Sequence, residues 1–221
     1  HYRLDNSYIT LYGNLDADAM LGFLDEAYLS PVADEERSRD WERAEKGLPP
    51  LSPNVLAEQS AVVVPHAKRT MVTAPSNACC ALGYVAGSAR DRTRLAALDI
   101  LLDAIMGSNE APLKRVILDE GLADDASAYL ADSMLQPYAV FELRGLRPGA
   151  AERFEAVVRG ELARLAEGGL DHGLLEASLS RAEFVMREHD FGTADGVVYA
   201  MSSLAGWLYD DDLATAYIKY E

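Results

Sequence analysis

The chain has 221 residues, 49% hydrophobic and 25% charged, with a formal net charge of -16 and a pI near 4.6. Length and composition fit one large globular domain, or one domain with a piece of another. The acidic balance argues against nucleic-acid binding, because a phosphate backbone needs a basic surface, and the arginines are scattered among acids. No apolar run nears the roughly 20 residues of a membrane-spanning helix, so neither nucleic acid nor membrane is an expected partner.

His1-Tyr2-Arg3-Leu4 has neither an initiator Met nor the apolar stretch of a signal peptide. The chain opens straight into strand-like sequence, which reads as a piece of a longer protein, and the cytoplasm is the expected compartment. Cys79 and Cys80 are neighbours. Adjacent cysteines rarely bridge each other and give no zinc-site spacing, so reduced thiols on a strand are expected.

Ile9, Leu11 and Tyr12 read as a strand stopped by Gly13-Asn14. Asp16 or Asp18 caps the next helix, with Met20, Leu21, Leu24 and Leu29 on its apolar face. Residues 31–54 mix acids and bases around Trp41 and end in Pro49-Pro50 and Pro53. They carry no apolar period and read as a linker with at most one exposed helical turn. Short strands are expected at 61–65 and 70–72, and the central strand at 80–85.

Asp91 caps a helix with Leu95, Leu98, Leu101, Leu102, Ile105 and Met106 on one face, the 3.6-residue period. Gly107 reads as its left-handed stop. A shorter helix starts near Asn109, tolerates Pro112 in its first turn, packs through Leu113, Val116 and Ile117, and ends at Gly121. Two short strands follow, the second at 138–143. The remainder reads as helical. Phe154, Val157, Val158, Leu162 and Leu165 share one face, and Asp171 caps a helix facing Leu174, Leu175, Leu179, Ala182, Val185 and Met186 inward. Further helices are expected from Thr193 through Trp207-Leu208-Tyr209 and over 213–220. A strand, a glycine turn and a helix occur at both 8–30 and 140–165, a weak internal repeat. The fold class is therefore α+β: a two-layer sandwich, mainly antiparallel sheet with helices on one face, and a helical C-terminal extension.

Ser108-Asn109-Glu110-Ala111-Pro112-Leu113-Lys114, followed by Leu118-Asp119-Glu120-Gly121-Leu122, resembles a segment of pitrilysin/insulinase-type zinc metallopeptidases, in their presequence-protease branch. Phe191-Gly192 with the later Trp207-Leu208-Tyr209 is similar to the same branch. The resemblance spans most of 81–221 and also 8–29, where the sequence looks like the last strand and helix of the zinc-bearing first domain. Glu110-Ala111 departs from the usual Gly-rich turn and Ser, and Asp124-Asp125 is a second departure.

That family's chemistry needs His-x-x-Glu-His on a helix, a further Glu as third protein ligand, and a metal-bound water activated by the motif Glu. The four histidines, His1, His66, His172 and His189, contain no such pair in either orientation, and Val185 stands three residues before Glu188. His172 follows a helix cap and His189 lies at a helix C-terminus, both ordinary structural positions. Asp210-Asp211-Asp212 lacks the glycine and twelve-residue spacing of an EF-hand loop. Ser88 lacks the flanking glycines of a nucleophile elbow, and no phosphate-binding Gly-rich loop is present. No catalytic, cofactor-binding or metal residue is assigned.

The resemblance implies a non-catalytic domain of a zinc-dependent metalloendopeptidase that degrades peptides in a closed chamber. The chain would supply chamber wall and peptide-binding surface, with zinc held elsewhere in the parent enzyme. Residues 1–30 would close the preceding zinc-bearing domain, 31–54 would link, and 55–221 would form the second domain. The expected partners are the remaining domains of the same polypeptide and peptide substrates, with self-association through the N-terminal strand. The alternatives are a pseudo-peptidase structural subunit without a catalytic partner, and a free-standing ferredoxin-like ligand-binding module.

Overall fold

The structure, a computed structural model, describes residues 3–49, 58–60, 67–188 and 194–210. In chain order the helices and strands are α1 (Ala17–Leu24), α2 (Ser30–Glu45), β1 (Cys79–Val85), α3 (Arg92–Met106), α4 (Pro112–Asp119), β2 (Asp125–Ala131), β3 (Tyr138–Arg144), α5 (Ala150–Gly168), α6 (His172–Arg187) and α7 (Asp195–Trp207). They fall into two compact units, residues 58–190 and residues 1–57 with 191–221.

The unit of residues 58–190 is built on a three-stranded antiparallel sheet of order β1-β3-β2. β3, with its aromatic and β-branched residues, suits the centre. Phe141 pairs with Leu82 on one side and Ala128 on the other. Strand residues alternate between faces, so Leu82, Tyr84, Ala126, Ala128, Phe141 and Leu143 share one face. Helices α3, α4 and α5 cover that face through Leu102, Ile105, Met106, Leu113, Ile117, Phe154 and Val158. This is the expected α+β layer, with the helices on one face.

Local signals fix the helix ends. The Asp91 carboxylate accepts the Arg94 N–H at 3.1 Å, and Asp171 accepts from Gly173 and Leu174 at 2.8 and 3.2 Å. Pro112 sits in the first turn of α4, where its missing N–H removes no helix bond. Gly107 departs from expectation. Its φ is -72°, not left-handed, and glycine is required because a Cβ would meet the side chain and carbonyl of Asp103.

On α6 half of the expected inward face is turned in: Leu174, Ala182 and Met186 are half-buried. Leu175, Leu179 and Val185 are exposed, and Ser178 is the buried residue. On the same helix one nitrogen of the Arg181 guanidinium donates to both carboxylate oxygens of Asp103 on α3, at 2.6 and 2.8 Å.

In the other unit, α1 runs through a π-helical stretch, Asp25–Leu29, into α2 without a break. Asp16 caps it, accepting from Ala19 at 3.0 Å. The 16-residue α2 is longer than the one exposed helical turn expected within 31–54. Its mixed charges are helix pairs: Arg37 bonds Asp34 and Lys46 lies 3.7 Å from Glu42. Arg3 donates twice to Asp40, at 3.1 Å each, and this contact holds the Asp40 carboxyl below its ordinary range.

The expected strand at 9–12, with its place in the weak repeat, is not formed. Its aromatic residues pack instead, Tyr8 with its ring centroid 4.9 Å from that of Trp207 and Tyr12 against Gly196 of α7. Residues 70–72 are likewise not a strand, and Val72 is fully exposed. The expected strand at 61–65, His189 to Gly192 and the helix at 213–220 lie outside the described residues.

Phe154 is completely buried, whereas Phe184 on α6 is 64% exposed. Phe154→Ala is expected to destabilise by about 3–5 kcal/mol through lost transfer energy and a cavity, and Phe184→Ala by less than about 0.5 kcal/mol. Urea unfolding of the two variants checks the contrast.

Candidate peptide-binding face

The second face of the sheet presents a graded surface. Three strands in register set out four cross-strand rows. Cys79, Arg144 and Asp125 form the first, and Ala81, Glu142 and Ser127 the second. Gly83, Val140 and Tyr129 follow, then Val85, Tyr138 and Ala131. One end is charged, the other small and aromatic. On β1 all four of these residues are exposed, Val85 at 70%, and Tyr129 of β2 is 48% exposed.

β1 also lies at the sheet edge. The Ala86 N–H donates to the Pro137 carbonyl at 2.7 Å, which continues the β1–β3 register. Hydrogen-bonded pairs alternate along an antiparallel ladder, so Cys80, Leu82 and Tyr84 bond to β3. The backbone groups of Cys79, Ala81, Gly83 and Val85 therefore point away from β3. Among the described residues no strand pairs with that side. The strand has no charge and no proline, the two devices that usually protect an edge.

The charged end is held internally. Arg144 donates to both oxygens of Glu142 at 3.3 Å, a contact that raises the already high Arg144 pKa. Lys114 reaches from α4 to Asp125 at 2.8 Å, and this hydrogen bond lowers the Asp125 pKa. Near the other end of β2, Asp132 pairs with Arg92 at 3.2 Å. Asp99 of α3 has its pKa raised, first by burial and then by Asp132 and Asp103. Burial also raises the Cys80 thiol, which faces the helices, while Cys79 is exposed; both are free.

Of the histidines weighed in the sequence, only His172 lies in the described residues. Its side chain is 84% exposed, 3.5 Å from Glu176 one turn on, as expected beside a helix cap. Among the described residues no three His, Cys, Asp or Glu side chains gather as metal ligands. Asp210 is described but Asp211 and Asp212 are not, and Ser88 sits in the bend after β1 with no partner base assigned to it. A shallow depression on α2 is lined by Asp34, Glu35, Ser38 and Arg39, all on one helix surface. No described helix is long and apolar enough to cross a membrane.

The edge and the open face were not singled out in the sequence. The signal was present in β1, where small residues alternate with large ones, but its place at an edge depends on β3 pairing across about 60 residues of chain. Arg144 and Glu142 follow a simpler rule, opposite charges two apart on a strand and hence on one face.

A helix layer on one side of an antiparallel sheet, with the other side open, defines an α+β domain whose available surface is the sheet itself. The chain belongs to the family described as the Peptidase M16 inactive domain, whose model matches residues 1–181. Protein HypA of Clostridium perfringens is 30% identical over 227 residues, covering 100% of this chain and 22% of the relative. Presequence protease 1 of Arabidopsis thaliana, chloroplastic/mitochondrial, is 32% identical over 118 residues, 52% of this chain and 11% of that protein. The chain thus spans less than a quarter of the length of these curated relatives. The crystal structure of an inactive peptidase domain from Bordetella parapertussis matches with a TM-score of 0.51 at 16% identity, over 65% of this chain and 79% of that one. The expected kinship with M16 metallopeptidases, the presequence-protease relatives among them, is established.

The two perturbed carboxylates predict opposite responses to pH. Asp125, with a lowered folded pKa, stabilises the fold above the unfolded carboxyl value of about 3.9, and that contribution is lost as pH falls through the folded value. Asp99, with a raised folded pKa, is a penalty at neutral pH that disappears on acidification. At pH 7, Asp125→Asn is expected to lower stability and Asp99→Asn to raise it. Both differences should shrink towards pH 3, and urea titrations at the two pH values check the signs.

Proposed function

We propose that the chain is a non-catalytic domain of a zinc-dependent metalloendopeptidase, forming wall and peptide-binding surface in the chamber where peptides are degraded. The observation that carries this reading is the exposed face of β1 beside an edge with which no strand among the described residues pairs, in a chain of the M16 inactive-domain family. An extended peptide adds to such an edge through its backbone, and the alternating side chains then meet the small and aromatic rows. Residues 1–30 are read as the closing part of a preceding domain. In support, Leu21, Phe23 and Tyr28 on the first helix are 60%, 61% and 50% exposed, an apolar surface that suits burial against further chain.

The zinc of such an enzyme does not fit the residues described here, since the exposed His172 has only Glu176 beside it and no ligand set gathers. No chemical step is assigned to this chain. The net charge of -16 adds a preference. An acidic wall raises the local concentration of basic peptides by field focusing, more so at low salt.

The test compares this chain with the longer polypeptide that contains it. The chain alone is expected to carry no stoichiometric zinc and to cleave no peptide, while the longer polypeptide does both. Tyr129→Ala in the longer polypeptide should raise KM with little change in kcat, and basic peptides should lose affinity with salt more steeply than acidic ones. Zinc and hydrolysis by the isolated chain would overturn the reading. A longer polypeptide devoid of both would make the domain part of a structural subunit instead.

A further inference from the structure

Gln136 lies in the connection between β2 and β3, and its main chain is pinned on both sides. The carbonyl of Leu135 accepts the Ala89 N–H at 3.0 Å, and that of Pro137 accepts the Ala86 N–H at 2.7 Å. Pro137 itself is fully buried. From this fixed base the Gln136 side chain turns to a segment distant in sequence. Its Oε1 accepts the Gln59 N–H at 2.8 Å, and its Nε2 donates to the Gln59 carbonyl at 3.2 Å. One side-chain amide thus pairs with both backbone groups of one residue, as the residue opposite it in a hydrogen-bonded antiparallel pair would.

We propose that Gln136 is a latch that fixes where the chain enters this unit, by presenting a side-chain amide in place of the backbone N–H and C=O of a strand residue. Gln59 stands at the start of the unit of residues 58–190, and β1 begins only at Cys79. With the latch made, the chain is anchored at Gln59. Among the described residues ahead of β1, the next long-range backbone hydrogen bond is that of the Ala78 carbonyl, which accepts from Leu146. The chemistry is demanding. The position needs an acceptor and a donor on one planar group, which only Gln or Asn supplies, and Asn is one methylene short.

The test is hydrogen exchange of the full chain, comparing wild type with Gln136→Ala, Gln136→Asn and Gln136→Glu at pH 7. Loss of one net hydrogen bond corresponds to roughly a 2- to 12-fold change in an opening equilibrium. Exchange at the Gln59 amide is expected to rise by about that factor in Gln136→Ala and Gln136→Asn. Amides of β1 and β3 should be unchanged. Gln136→Glu keeps the acceptor but, when ionised, lacks the donor, so its exchange should lie between wild type and Gln136→Ala. Unchanged exchange at Gln59 in the alanine variant would overturn the latch, as would an equal rise throughout β1 and β3, which would make Gln136 merely a part of the sheet's general stability.

Discussion

Everything in the unit of residues 58–190 depends on β3 being paired on both sides. A central strand must satisfy two ladders and two faces at once, and β3 is the segment whose residues suit that place. Phe141 and Leu143 drive one face into the helix layer, with 3% and 0% exposure, while Val140 is buried on the other. Because the side-chain period is two, a slip of one residue on either side would put Phe141 on the open face and Val140 against Phe154. Register, core and open surface are therefore one decision. The hairpin from β2 makes it locally, and β1 accepts it from much farther along the chain.

What the sequence disclosed follows from how local each determinant is. The helix faces of α3, α4 and α5, the caps at Asp91 and Asp171 and the strand at 138–143 rest on spacings of a few residues, and each stands where expected. The failures involve partners distant in sequence. Tyr8 and Tyr12 have strand-forming composition, but the residues they pack against belong to α7, nearly 200 residues on. In α6 the stripe read from the sequence is too wide: Leu174, Ala182 and Met186 are half-buried, while Leu175, Leu179 and Val185 stay exposed. For α2 the error has a different cause: the helix needs no apolar period, because charge pairs along its surface and the contacts of Arg3 and Leu4 with Asp40 and Glu36 support it.

The same distinction explains how little of the candidate site was legible. The missing His-x-x-Glu-His pattern is a short-range fact, visible at once, and it redirected attention from chemistry to surface. The surface itself could not be seen, because it consists of three strands brought together and of β1 backbone groups that no strand among the described residues takes. A peptide group has no letter in the sequence. Its availability is decided by which strand ends up outermost, and that depends on pairing, not on composition.

Charge and edge then work at different distances. Most ion pairs on this acidic chain lie within one element or between close neighbours, and exposed pairs of that kind contribute little to stability. They do tie up cations: Arg144 turns to Glu142, Lys114 to Asp125 and Arg92 to Asp132. With these cations occupied locally, the excess of carboxylates sets the longer-range field, which salt weakens over about 10 Å. At contact distance the determinants change. The outward backbone of β1 is neutral, and Ala81 and Gly83 leave little side chain in the way of an approaching strand. Attraction by charge and capture by backbone are thus separable here. The first should respond to the peptide's basic residues and to salt, the second to its capacity to lie extended, and proline at the pairing positions would remove the second while leaving the first intact.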